Sequence, residues 1–456
     1  VDNANSQRCQ CPRCLEAFRQ HLKDKFPADR ARALFGDVSL DAVSFPQEQN
    51  TPLYAEMNRF WCDTARDELA TLKAVGTAEL GRDFLVFPNG GRPECIQRGL
   101  RDADFVMFEK SSGDYGTHPG MVLAPVFEGI KLRAWNDNIF EHKFVQCLRR
   151  RVRPIILSRA GWPRSRPWLM LNADAARLGM AECGAFSGGG GFLLRPYFDV
   201  YHDALNEYRR FFETHPDLYA GLDSCASFAV LACPEQQWLG NQAHLAAVRA
   251  LTRALTEAHV LFDYVCESRL DDATPGRYAA VLAPELHVVS DVQLSALGRY
   301  VERGGRLIVV GGFATHDEGL TERKPQRWQR GKVSRFAGAE AAIAALGGGA
   351  SVLSCPDERL APHVKVNAFR GPGRVILHVV NYNVPLGVRA PKPAAVDGIE
   401  LSVPLPEGTR AVSARIHAPD EPKPTSLSVR NEKGRARLRI GAIGIYRVVE
   451  LRLSGL

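Results

Sequence analysis

The sequence predicts an α/β protein in three successive parts: the last five strands of a (β/α)8 TIM barrel, a doubly wound α/β domain and a small β-sandwich. Three observations carry this. Over the first 200 residues, short apolar runs alternate with amphipathic segments, and polar residues gather just after each run. That is the pattern of parallel strands covered by helices, with a site built at the strand ends. From about residue 201 the alternation restarts. After the Gly-rich "LGGGAS" near residue 350, helical periodicity stops and short alternating runs separated by Pro, Gly and Asn take over, as in a sandwich. The boundaries read 1–200, 201–345 and 346–456.

Taken in order, "VDN" opens the chain as a strand end. "PRCLEAFRQHLKDKF" follows with Leu15, Phe18, Leu22 and Phe26 at helical spacing, one apolar face per turn. A polar, Pro-containing stretch to about residue 55 reads as a loop. "NRFWCDTARDELATLKAVGTAEL" is a long amphipathic helix, and "DFLVFPNGG" a buried strand ending in turn residues. "ADFVMFEKSSGDYG" is a strand and a long loop, "NIFEHKFVQCLRRRV" a helix, "RPIILSRAGW" a strand. Asn172 is placed to cap the helix "NADAARLGMAECGAF", and "FLLRPY" closes the series. Five such units match the last five of eight, which puts three more, on the order of 100 residues, upstream.

In the second part, "YHDALNEYRRFFE" is a connecting helix. "SFAVLAC", "HVLFDYVCE", "YAAVLAPE" and "RLIVVGG" are strands, with "AHLAAVRALTRALTEA" and "VQLSALGRYVERGG" as the helices between them. In the third, "GRVILHVVNY", "ARIHA", "TSLSVRN", "RARLRIG" and "IYRVVELRL" are sandwich strands.

Composition narrows the function classes. With 45% hydrophobic and 24% charged residues in 456, the chain supports a sizeable core and is not disordered. No apolar run reaches the ~18 residues of a membrane span, so no membrane partner is expected. The net charge of +7 concentrates in "RRRVR" and "ERKPQRWQRGK", which read as solvated segments rather than a nucleic-acid surface. No G-x-G-x-x-G is present and no organic cofactor is expected. The strand "YAAVLAPE" ends without the nucleophilic Cys that glutamine amidotransferase chemistry needs. Of eleven cysteines, Cys183, Cys225 and Cys233 lie in apolar surroundings as small core residues.

Cys9, Cys11 and Cys14 are different. Three thiolates within six residues suit one tetrahedral ion; a structural zinc or three reduced thiols both fit, with a fourth ligand from upstream, from His21, or absent. Glu109 ends the apolar run "FVMFE", where apolar neighbours raise a carboxyl toward acid/base use; it is the leading catalytic candidate, against a merely site-lining glutamate. Asp2, at the neighbouring strand end, is the natural second carboxyl. Asn3, Asn89 and Arg159 share that rim, and Asp114, His118, Glu128 and Asp137 lie on loops within reach of sugar hydroxyls. Trp135 and Trp162 follow strands, where indole faces stack on sugars or simply pack. Glu182 sits on a small-residue helix and reads as a supporting residue.

This arrangement resembles the family 42 β-galactosidases and related glycoside hydrolases over nearly the whole chain. The local pieces are "DN", C-x-C-x-x-C and "EAF" at the opening, and "YAAVLAPELHVVSDVQLSALGRYVERGGRLIVVGG" within residues 224–319. The latter is similar to that family's trimerisation domain, itself related to class I glutamine amidotransferases. The resemblance implies a carbohydrate substrate, a homotrimer, and a zinc held by Cys9, Cys11, Cys14 and one earlier cysteine. It also implies glutamates at two strand ends, where this chain has Ala4 in "DNA" and Ser158 or Arg159 in "IILSRAGW". The expected function is therefore hydrolysis of O-glycosidic bonds in oligo- or polysaccharides, or a degenerate relative that binds carbohydrate without cleaving it.

Overall fold

The computed structural model describes residues 9–90, 92–110, 123–127, 130–133, 137–148, 153–159, 172–188, 191–195, 199–270, 274–324, 333–385 and 391–455. The chain is mixed α/β with several sheets. Its first part begins with α1 (Pro12–Lys25), α2 (Ala28–Phe35), α3 (Pro52–Leu80) and α4 (Pro93–Gly99). Pro12 opens α1 at a position where its missing N–H costs nothing. Thr51 caps α3 by accepting from the Tyr54 N–H at 3.1 Å, and Gly81 ends it at φ 61°, the left-handed stop that glycine adopts without strain.

Then come β1 (Phe105–Lys110), the hairpin β2 (Leu123–Phe127) and β3 (Ile130–Arg133), α5 (Ile139–Gln146), β4 (Arg153–Arg159), α6 (Ala173–Ser187) and β5 (Gly191–Arg195). Strands β1, β4 and β5 are parallel neighbours in that order. Val106, Phe108 and Ile156 are buried in the same core as α5 and α6, so one sheet face is covered by the crossover helices. This is the strand–helix alternation of a TIM-barrel-like fold.

In this first part the sequence reading needs correction at four places. Residues 28–35, expected as loop, form α2. Helix α4 and the β2–β3 hairpin were not anticipated. The segment 83–90, expected as a buried strand, runs beside β1 with only one isolated parallel bridge, Asn89 to Met107. Its apolar residues Phe84, Leu85 and Phe87 are exposed. Met107 N–H donates to the Pro88 carbonyl at 3.1 Å and its carbonyl accepts from the Gly90 N–H at 2.6 Å, but Pro88 has no N–H to offer the Phe105 carbonyl, which interrupts the ladder there.

After α7 (Asp199–Thr214) and the two-residue strand β6 (Asp223–Ser224), a fully parallel sheet forms. It comprises β7 (Phe228–Leu231), β8 (Phe262–Val265), β9 (Ala280–Val288), β10 (Arg306–His316) and β11 (Val333–Phe336), in the order β11-β10-β9-β7-β8. Helices α8 (Ala243–Glu257), α9 (Asp291–Glu302) and α10 (Ala339–Ala344) accompany it. Ser290 and Gln293 form a capping box on α9.

The last part has two antiparallel sheets. One is β12-β15-β19-β18, built from Leu353–Ser354, Glu400–Pro404, Arg435–Arg439 and Arg430–Glu432. The other is β17-β16-β20-β14-β13-β6, with β13 (Val364–Gly371), β14 (Arg374–Asn381), β16 (Thr409–His417), β17 (Thr425–Leu427) and β20 (Tyr446–Gly455). Leu401, Val403 and Leu438 meet Leu377, Val379 and Val449 between them, the buried layer of a sandwich.

The largest core runs through all three stretches. Helix α6 is buried along most of its length, including Ala181, Glu182, Cys183, Gly184 and Ala185. A side chain on Gly184 would come within 3.0 Å of the Tyr446 hydroxyl and 3.1 Å of Tyr219. Small residues let the helix lie this close to its neighbours.

Candidate active site and metal centre

Strand register fixes the rim. Met107, Ile155 and Gly191 form one cross-strand row, and Glu109, Leu157 and Leu193 form the next row but one. Alternation puts position 109 on the face opposite the buried Val106 and Phe108, on the same face as positions 155 and 157. Arg159, paired with Arg195 at the carboxyl end, shares that alternation; Ser158 does not. Asn89, nearly buried, bridges Met107 two residues before Glu109. Gly90 beside it is required by close approach: a Cβ there would lie 2.6 Å from Val106 and 2.9 Å from the Met107 carbonyl. Thus Asn89, Glu109 and Arg159 come to one end of adjacent parallel segments. Asp2, Asn3, Ala4, Asp114, His118, Glu128, Trp135 and Trp162 lie outside the described residues.

Two supporting assignments resolve. Asp137 is ion-paired: its Oδ2 is 3.1 Å from Lys365 Nζ of β13. Glu182 is fully buried and accepts from the Asn138 N–H at 2.9 Å, from Asn138 Nδ2 at 3.0 Å and from the Tyr382 hydroxyl at 2.9 Å. Its role is to tie the start of α5 to α6 and to the segment following β14.

The cysteine cluster forms as the spacing requires. The Sγ atoms of Cys9, Cys11 and Cys14 all lie within 4.8 Å of one another. Tetrahedral zinc with Zn–S of about 2.3 Å has sulfur–sulfur edges of about 3.8 Å, so a small contraction would bring all three onto one ion. Cys11 stands at the N-cap of α1 with no strict cap hydrogen bond. The Cys14 N–H, then the neighbouring thiols, draw its thiol down from 9.0 to about 7. That favours the thiolate form a metal needs. Cys14 is pushed up to about 12, first by desolvation and then by the two thiols beside it. His21, weighed as a fourth ligand, does not join the group; its Nε2 lies 2.7 Å from Glu56 Oε1. Among the described residues no further His, Cys, Asp or Glu joins the group.

A charged cluster around Glu56 was not anticipated. Glu56, 1% exposed, meets His21, Lys25 Nζ at 2.5 Å and Arg59 Nη1 at 3.2 Å. Arg59 Nε reaches Glu235 Oε2 at 2.7 Å, joining α3 to the loop after β7. Burial pushes the Glu56 carboxyl up, but the His21 hydrogen bond, then Arg59 and Lys25, outweigh it and hold the group well below its ordinary value. Its members span more than 200 positions, and no sequence spacing connects them.

No family model and no curated protein matches the chain. Solved structures do. A β-galactosidase from Bacillus circulans sp. alkalophilus superposes with a TM-score of 0.65 at 15% identity, over 98% of this chain and 78% of that one. A cold-adapted β-galactosidase from Rahnella sp. R3 gives 0.61 at 13%, over 97% and 76%. An exo-carrageenase of family GH42 from Bacteroides ovatus gives 0.59 at 12%, over 97% and 63%. In architecture, along nearly its whole length, the chain is similar to the GH42 β-galactosidases and related glycoside hydrolases.

Proposed function

We propose that this chain is a glycoside hydrolase-like protein that cleaves O-glycosidic bonds in an oligo- or polysaccharide at the rim formed by the carboxyl ends of β1, β4 and β5. In this reading Glu109 gives the leaving oxygen its proton, and Asp2 supplies the second carboxyl that such chemistry requires. Asn89 and Arg159 hold sugar hydroxyls, with Asn3, Asp114, His118, Trp135 and Trp162 completing the surface from the surrounding loops. Zinc on Cys9, Cys11 and Cys14 staples the loop that enters α1, a structural duty typical of thiolate-rich sites. The division at residues 200 and 345, and a homotrimer, belong to the same proposal.

The supporting observation is the parallel register that gathers positions 89, 109 and 159 at one end of adjacent segments. Glu109→Gln is expected to abolish release of reducing sugar from a cleaved galactan or galactoside, with the melting temperature unchanged. Retained turnover removes the assignment. Ala4 and Ser158, standing where the resemblance leads one to expect carboxylates, favour a second reading of binding without cleavage. Measurable sugar binding with no turnover on a broad glycoside panel would establish it.

A further inference from the structure

The order β11-β10-β9-β7-β8 reverses direction between β7 and β9. In open parallel sheets, the crevice outside the strand carboxyl ends at such a reversal is where ligands sit. A cavity of about 370 Å³ opens at that point, within the size range of small-molecule sites. Its floor is Glu235 and Gln236 after β7, Glu267 and Ser268 after β8, and Ser290 after β9; its roof comes from α1 to α4, including Lys25, Arg59 and Gln97.

The lining has unmet hydrogen-bonding capacity. Gln97 is 1% exposed; its Nε2 donates to Glu235 Oε1 at 3.3 Å, while its Oε1 is buried without a partner. Glu267 Oε1 accepts from the Glu235 N–H at 2.9 Å, and its Oε2 is likewise buried and unpartnered. Across the cavity Arg30 pairs with one oxygen of Glu318 and leaves Oε2 without a donor. Buried acceptors left bare are costly, and a ligand that supplies donors recovers that cost. Arg59 and Arg98 line the same wall, but their guanidinium groups are already paired, Arg59 with Glu56 and Glu235 and Arg98 with Asp63 and Glu235. Phe26 and Phe35 add an apolar side. A simple anion would find these cations already paired and would leave Gln97 and Glu267 unmet. Vicinal hydroxyls, each both donor and acceptor, satisfy both.

From this juxtaposition we infer that the crevice is a binding site for a small polyol of monosaccharide size, gripped between the α/β sheet and the α1–α4 helices. The inference does not rest on the reading of Glu109.

The test is titration calorimetry on the whole chain with galactose, myo-inositol and inorganic phosphate. One of the two polyols is expected to bind at one site per chain in the millimolar range. Gln97→Leu is expected to weaken it about tenfold, and Glu109→Gln to leave it unchanged. Should Gln97→Leu not fold, Ser268→Phe fills the same cavity from the strand end and is expected to abolish binding. Binding of phosphate alone, binding of no probe, binding unaltered by the crevice variants, or binding lost in Glu109→Gln would each overturn the inference. The last would put the sugar at the rim instead.

Discussion

Replacing Glu182 with leucine probes the buried junction of α5, α6 and the sandwich. The carboxylate accepts from the Asn138 N–H, Asn138 Nδ2 and the Tyr382 hydroxyl, all at 2.9–3.0 Å. Leucine strips the acceptor from all three donors, each costing about 1–3 kcal/mol when buried unpaired. It also relieves the cost of holding a charge away from water, so the lower figure applies and the sum is about 3–4 kcal/mol. Unfolding entropy of about 2.1 cal/mol/K per residue gives roughly 1 kcal/mol/K when all 456 residues unfold together. The expected drop in melting temperature by circular dichroism is therefore about 3–4 °C, and larger if only part of the chain unfolds. Tyr382→Phe removes one donor, leaves the carboxylate the other two, and is expected to cost about half as much. A shift below 1 °C for Glu182→Leu, or a greater loss for Tyr382→Phe, would refute the reasoning.

Acid stability follows from buried histidines. His244 accepts from the Cys233 N–H at 2.8 Å and donates from Nδ1 to the Pro284 carbonyl at 2.7 Å. Burial lowers it to about 4, and His378 to about 3, from 6.5. The unfolded chain then binds more protons than the native one, so stability falls as pH drops below 6.5. Each histidine contributes about 1.4 kcal/mol per pH unit. Glu267, raised by burial, opposes this loss, while burial also lowers His259, His363 and His417 and adds to it, so the net expectation is a fall in stability from pH 6.5 toward 4.5. Chemical denaturation at a series of pH values checks this; stability flat or rising from 6.5 to 4.5 contradicts it. Metal analysis of the purified chain is expected to give one zinc per molecule, and the triple exchange of Cys9, Cys11 and Cys14 for serine to remove it. Unchanged metal content in that variant would end the assignment.

Legibility in the sequence followed interaction range. Asn172 as a cap is a three-residue event, and the structure shows its Oδ1 accepting from the Ala175 N–H at 2.8 Å. Strands β1, β4 and β5 each carry a compact apolar run, and all three formed. Helix α2 escaped notice because Pro27 precedes it and it spans only eight residues, too few for a clear 3.6-residue period. Segment 83–90 looked buried because composition alone does not reveal that Phe84, Leu85 and Phe87 stay exposed. Glu109 stood out as a candidate because a carboxylate closing an apolar run is a local signal, and the register sets it beside position 157 near the strand end. The Glu56–Arg59–Glu235 cluster and the crevice above β7 were invisible, since their parts meet only after the chain has folded back across many elements.

Helix α6 leaves almost no surface of its own. It lies against α5, α7, β5, β13 and β14, and it keeps the side chains small enough to do so. A recombinant built by splicing this region from a relative must therefore carry the helix together with both of its flanks. A crossover anywhere between 173 and 187 would join two half-fitting moulds, and insoluble protein rather than altered specificity would be its first symptom.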